Sequence, residues 1–312
     1  MKSRRSQAIE RGSGGAPLRD SLGTILTAMV TPFDADGAVD HAKLAALAGH
    51  LLASGSDGLV VAGTTGESPT LSDDEKLEML RTVVSAVGDR CTVVAGTGSN
   101  DTRHSVQLTR AAEVCGVDAI LAVVPYYNKP PERGILAHFR AIAAATSLPV
   151  IVYNIPGRCV VNLSPEALAA LAETENIVAV KQANPDLAET DRLMELSDLG
   201  VYAGNDDMLC DVMTRGGLGG ICVASHVAGP RMAEIARLCR EGDTVAAAAE
   251  DARLHDLYKA LFVTANPIPV KAALNMLGHE VGGLRLPLVP ANPEEEAVVA
   301  AALSRLGLMT DA

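Results

Sequence analysis

The chain has 312 residues, 38 acidic against 26 basic side chains for a net charge of −12, and a hydrophobic content of 48% with only 3% aromatics and no tryptophan. No basic cluster stands out beyond residue 20, and no apolar run reaches the roughly 20 residues of a membrane span, which sets aside nucleic acid, anionic membranes and a transmembrane role. The length allows one large domain or a barrel with an appendage, and the wealth of Ala, Val, Leu and Gly suits a parallel α/β protein packed through small residues.

Residues 1–20 are polar, basic and Gly-rich, without the apolar core of a secretory signal, and are expected to form a disordered tail. From Gly23 onward strand and helix signals alternate. Thr24 to Val30 reads as a strand ending at Thr31-Pro32, and Asp40 caps a helix to about Ala53. Asp57 to Ala62 is the second strand, running into Gly63-Thr64-Thr65-Gly66-Glu67-Ser68. Ser72 with Glu75 forms a capping box for a helix to about Val87. Thr92 to Ala95 is the third strand, and Asp101 or Thr102 opens a helix to about Cys115. Ala119 to Val124 is the fourth, ending in Pro125-Tyr126-Tyr127, with a helix from Pro131-Glu132. Pro149 to Tyr153 is the fifth, and Ser164-Pro165-Glu166 starts a helix with proline at its first position. Ile177 to Lys181 is the sixth, bracketed by turn-prone Glu173–Asn176 and Asn184-Pro185-Asp186. Val201 to Ala203 is a short seventh, ending at Gly204, and Gly219 to Ala224 is the eighth.

Eight strands, each followed by a helix, over about 200 residues imply a (β/α)₈ TIM barrel. A doubly wound open sheet is the alternative, and the lack of GxGxxG after the first strand counts against it. Beyond Pro230 no strand signal remains. Arg231–Arg240, Asp243–Val263, Pro269–Leu277 and Pro293–Leu306 read as helices. The expected division is a tail over 1–20, a catalytic barrel over 21–229 and a C-terminal helical appendage over 230–312. The six cysteines form no CxxC pair and the seven histidines no HxH or HxxxH spacing. The expectation is therefore no metal site, free thiols and a reducing, cytoplasmic setting.

In such a barrel the active site lies at the carboxyl ends of the strands. The sixth strand places Lys181, one of only seven lysines, at such an end. In water an amine of pKa about 10.4 is neutral about once in 2,500 at pH 7, and burial raises that fraction and frees the amine to attack a carbonyl. The second strand ends in two hydroxyls, Thr64 and Thr65, between glycines whose backbone N–H groups suit a carboxylate. Tyr127 and Tyr153 end the fourth and fifth strands, and a positioned phenol passes protons. Arg158, five residues past Tyr153, is placed to clamp a second carboxylate. Each feature has a plainer counterpart: an exposed strand-end lysine, an ordinary turn, aromatic packing at the rim, a surface ion pair. Their conjunction on one face favours chemistry.

With Gly63-Thr64-Thr65-Gly66-Glu67-Ser68, Pro125-Tyr126-Tyr127, Tyr153-Asn154-Ile155-Pro156-Gly157-Arg158 and Val180-Lys181, the chain resembles the dihydrodipicolinate synthase and N-acetylneuraminate lyase family of class I aldolases, from about Gly23 to the C-terminus. The resemblance implies that Lys181 forms an imine with pyruvate and that Tyr153 shuttles protons at the imine and aldol steps. Thr64 would link Tyr153 to Tyr127, which in this family reaches into the adjacent subunit's site. Thr65 would join Thr64 in holding the pyruvate carboxylate, and Gly204 and the backbone of Ile221 would line the pocket. Arg158 would bind the acceptor's carboxylate, and its presence points to the branch that joins pyruvate to aspartate 4-semialdehyde on the route to diaminopimelate and lysine. The implied assembly is a homotetramer of two tight dimers, without cofactor. Three competitors remain: another pyruvate-dependent aldolase of the keto-deoxy sugar acid or N-acetylneuraminate type, a pyridoxal phosphate enzyme, and a non-catalytic keto-acid-binding barrel. Lysine-inhibited members bind lysine through Ser, Asn, Tyr, two His and a Glu. Ser68, Asn100 and Tyr126 match that set, whereas Asp73, Lys76 and His104 replace the rest, so inhibition by lysine is expected to be weak or absent.

Overall fold

The computed structural model describes residues 22–309, so the tail expected over 1–20 lies outside the described residues. Strands β1 (Ile25–Ala28), β2 (Gly58–Val61), β3 (Thr92–Gly96), β4 (Ala119–Val123), β5 (Val150–Asn154), β6 (Ile177–Gln182), β7 (Gly200–Ala203) and β8 (Gly219–Cys222) close into a barrel in chain order. The pairings are parallel, and β8 returns to β1 with Leu26 beside Ile221. Each strand is an almost unbroken apolar run because both of its faces are covered, as β2 and β6 illustrate with every residue buried. The two faces separate into two cores. Leu26, Val60, Val94, Leu121, Ile151, Ala179 and Tyr202 fill the barrel interior, while Val61, Val93, Val152 and Val180 face outward into the layer of helices.

Local signals set the helix starts. In α1 (His41–Ala53) the Asp40 carboxylate accepts the Lys43 N–H. In α2 (Asp73–Val87) Ser72 and Glu75 complete a reciprocal capping box. The choice between Asp101 and Thr102 resolves to Asp101 as the cap of α3 (Thr102–Val114). Helix α4 (Glu132–Ala143) follows Pro131, and α5 (Pro165–Ala172) takes Ser164 as its cap with proline in its first turn. Helices α6 (Leu187–Leu196) and α7 (Leu209–Thr214) complete the set before β8.

Helix α8 (Ser225–Glu241) begins six residues before the expected start at Arg231. Pro230 looked like a stop because it has no N–H and its ring crowds the preceding turn. The helix absorbs it by bending, with Ala228 leaving helical geometry at φ −127° and ψ 25°. Helices α9 (Thr244–Ala260), α10 (Ile268–Met276) and α11 (Pro293–Arg305) follow, with α9 against α8 and α11 against both α9 and α10. Gly219 opens β8 for a steric reason: a Cβ there would overlap the carbonyl of Thr24, the residue before β1.

Candidate active site

The carboxyl ends of β5 and β6 lie side by side, with Tyr153 and Lys181 as register partners. Both face the barrel interior and are 5% exposed. The Lys181 ammonium sits 4.3 Å from the centre of the Tyr153 ring, in reach of its π face. Among the described residues two other lysines are buried, and both have their Nζ bound. Lys271 Nζ donates to a carboxylate and to a carbonyl, and Lys76 pairs with Asp73 at 3.5 Å. Lys181 forms no hydrogen bond or ion pair among the described residues, so its nitrogen is the one left for a ligand.

The ends of β5 and β6 are held by side-chain amides. Asn154 Nδ2 donates to Gln182 Oε1 at 3.0 Å and to Asn162 Oδ1 at 2.8 Å, and Gln182 Oε1 also accepts the Asn184 N–H. This network fixes Lys181 and Tyr153 relative to each other from the residues immediately after them. On the β7 side, Gly204 N donates to the Gln182 carbonyl at 2.7 Å, and a Cβ there would press on Ala183 at 2.7 Å. Ile221 is fully buried in the interior.

The loop after β2 is a tight turn. The N–H groups of Gly66 and Ser68 donate to Gly63 O, and that of Glu67 to Thr64 O. Only part of the expected anion nest is therefore available. The amides of Thr64 and Thr65 have no acceptor among the described residues and are the ones a carboxylate can use. Thr65 is 2% exposed, and its Oγ1 accepts Asn266 Nδ2 at 2.9 Å. A hydroxyl that accepts from an amide keeps its own proton to donate. Arg158 stands in a single helical turn, Pro156–Cys159, and donates to the Asn266 carbonyl at 3.4 Å. Asn266 thus touches Thr65 and Arg158, two of the three residues expected to hold carboxylates.

Not every expected contact forms within one chain. Thr64 is half-buried and makes no side-chain hydrogen bond among the described residues. The Tyr153–Thr64–Tyr127 relay is accordingly not closed. Tyr127 is 88% exposed and holds a left-handed backbone, φ 72°, so its phenol lies outside its own barrel.

Two features escaped the reading of the sequence. Asn266 lies after α9, in a segment read only as appendage. Asp206, two residues past Gly204, is 2% exposed, and its two oxygens accept the N–H groups of Val223 and Ala224, each at 2.8 Å. Burial pushes its carboxyl up, opposed by those two N–H groups and by the Lys181 charge. Burial and the Asp206 charge hold the neighbouring Cys222 thiol well above its ordinary value. The acidic pair Asp206-Asp207 at a strand end was the available signal for Asp206. For Asn266 only an asparagine preceding a proline marked the site.

Comparison with known proteins agrees with this geometry. Residues 21–306 match the model of the dihydrodipicolinate synthetase family. The 4-hydroxy-tetrahydrodipicolinate synthase of Moorella thermoacetica is 51% identical over 289 residues, covering 92% of this chain and 99% of that protein. The crystal structure of the Cyanidioschyzon merolae enzyme with lysine bound is 44% identical, has a TM-score of 0.90 and covers 92% and 99% of the two chains. That of the chloride-inhibited Acinetobacter baumannii dihydrodipicolinate synthase with pyruvate is 37% identical, at a TM-score of 0.90 and coverages of 93% and 100%. With a closed barrel, a buried lysine at the end of its sixth strand and relatives matched over nearly their whole length, this chain belongs to the dihydrodipicolinate synthetase family.

Proposed function

We propose that the chain catalyses the 4-hydroxy-tetrahydrodipicolinate synthase reaction, condensing pyruvate with aspartate 4-semialdehyde as a class I aldolase-type lyase. The observation that carries the reading is Lys181: buried, against Tyr153, with its nitrogen unclaimed by any acceptor among the described residues.

In this mechanism the neutral Lys181 amine adds to the pyruvate keto carbon, and loss of water leaves a protonated imine. The positive nitrogen draws electrons from the adjacent methyl, which loses a proton to give an enamine. The enamine carbon attacks the aldehyde of the second substrate, forming the carbon–carbon bond, and the aldehyde oxygen takes a proton. The acceptor's own amine then adds to the imine carbon, closing the ring and expelling Lys181. One water leaves overall. Tyr153, in contact with Lys181, serves the proton transfers. The Thr64 and Thr65 amides and the Thr65 hydroxyl hold the pyruvate carboxylate, Arg158 holds that of the acceptor, and Gly204 and Ile221 wall the pocket.

The proposed assembly is a homotetramer of two tight dimers, working in the cytoplasm. The exposed phenol of Tyr127 supports it: in a two-fold dimer the same residue from each protomer can enter the other's site and complete the proton relay through Thr64.

The test is borohydride reduction in the presence of pyruvate alone, read by intact-protein mass spectrometry. Wild type should gain one reduced pyruvate and Lys181→Ala none. Pyruvate-loaded enzyme should then turn over aspartate 4-semialdehyde in preference to sugar aldehydes. Absence of an adduct on wild type would sink the mechanism, and preference for a sugar aldehyde would move the reading to another pyruvate aldolase.

A further inference from the structure

Glu67 and Lys271 form an ion pair withdrawn from solvent on both sides, with side-chain exposures of 0% and 1% and an Oε1–Nζ distance of 2.9 Å. Lys271 Nζ also donates to the Thr31 carbonyl at 2.8 Å and lies 4.4 Å from the centre of the Phe33 ring. The second Glu67 oxygen accepts the Arg285 backbone N–H at 3.0 Å. The Arg285 side chain reaches on to the carbonyls of Gly37 and Thr70 and to the Glu75 carboxylate. One carboxylate therefore ties the loops after β1 and β2 to α10 and to the segment before α11.

Such a pair is a poor choice for stability alone. Taking two charges out of water costs about what their attraction returns, and apolar residues of the same volume often serve better. What the pair does supply is fixed geometry. Glu67 lies two residues beyond Thr65 and holds a left-handed backbone, φ 57°, strained for a residue with a Cβ. Its carboxylate anchors that conformation from one side, and the Thr31 hydroxyl, bound to Gly66 O at 2.6 Å, anchors it from the other. Asn266, five residues before Lys271 on the same segment, holds the Thr65 hydroxyl.

We propose that the Glu67–Lys271 pair is the positioning element of the donor site: through it the C-terminal helices hold the Thr64–Thr65 loop in the shape that receives the keto acid's carboxylate. This rests on the reading of Thr64 and Thr65 as carboxylate ligands. Both residues act through the loop, without touching substrate.

The test compares wild type, Glu67→Gln and the double variant Glu67→Gln/Lys271→Met. The single change leaves an unpaired cation in the core and should lower the melting temperature. The double change removes both charges with side chains of similar length and should recover most of that loss. The decisive readout is the pyruvate concentration that gives half-maximal borohydride-trapped adduct. It should rise at least threefold in both variants, including the double variant of recovered stability, while the KM for the semialdehyde stays within twofold. A rise below threefold in the double variant overturns the proposal, because the pair then serves folding only. A wild type that traps no pyruvate overturns the underlying reading, which separates the two failures.

Discussion

The buried His226 should make the stability of the fold depend on pH. Its ring joins two loops at the active-site rim: Nε2 accepts the Val30 N–H at 3.1 Å, and Nδ1–H donates to the Val223 carbonyl at 2.8 Å. Both nitrogens are matched only in the neutral ring, because a proton on Nε2 would face the Val30 N–H. Burial, aided by the nearby His50 and His279, lowers the pKa from 6.5 to about 4. The unfolded chain therefore binds a proton near pH 6.5 that the folded chain refuses until about pH 4. Through that window the unfolded state holds more protons, so stability is fully present above it and falls as the pH falls. With those two values, His226 costs the fold about 2 kcal/mol at about pH 5 relative to about pH 7.5. The measurement is urea unfolding of wild type and His226→Gln, followed by circular dichroism at both pH values. The variant should be less stable at neutral pH and should lose about 2 kcal/mol less than wild type on acidification. His138, also lowered to about 4 by burial, contributes equally to both proteins and cancels in the comparison. Equal acid losses for the two proteins would refute the assignment of His226 as a buried neutral imidazole.

Asn266→Ala removes the amide that orients the Thr65 hydroxyl; one neutral hydrogen bond contributes about 1 to 1.5 kcal/mol, so the pyruvate KM should rise roughly tenfold in steady-state assays. An unchanged pyruvate KM would remove Asn266 from the donor site. Lysine should inhibit weakly or not at all. Asp73 already accepts His104 Nε2 at 2.8 Å and lies 3.5 Å from Lys76 Nζ, so the three departures from the lysine-binding set engage one another, and an arriving ammonium would meet Lys76 as a like charge. Half-maximal inhibition by sub-millimolar lysine would contradict this.

What the sequence disclosed and what it hid divide by range. The capping box at Ser72 and Glu75 and the cap at Asp40 were readable because donor and acceptor lie three residues apart. The strands were readable because burial on both faces writes a continuous apolar run. Lys181 was visible because a strand of apolar residues ended in a charge. The start of α8 was misplaced because a proline signals a break without saying whether the chain stops or bends. The extent of the anion nest was hidden too, since only the turn decides which amides face outward. Least legible were the contacts that hold the site: Thr65 to Asn266 spans 201 residues, and Glu67 to Lys271 spans 204. No periodicity or spacing rule reaches that far.

The three lysines buried among the described residues show how one residue type is directed to different ends by its surroundings. Lys76 leans on Asp73, one turn back in α2, and balances its charge. Lys271 has a carboxylate, a carbonyl and an aromatic face around its nitrogen. Burial lowers its pKa and the Glu67 charge opposes that shift, and a nitrogen so enclosed has no open side from which to approach a carbonyl. Lys181 has no hydrogen-bond acceptor among the described residues and lies against the Tyr153 ring. A buried ammonium without hydrogen-bond partners is unfavourable, and a fold under selection for stability alone would place an apolar side chain there. An amine free of hydrogen-bond partners among the described residues, beside a phenol, is instead what imine formation requires. What separates Lys271 from Lys181 is a direct carboxylate partner: Glu67 pairs with Lys271 at 2.9 Å, whereas Asp206 acts on Lys181 only through its charge.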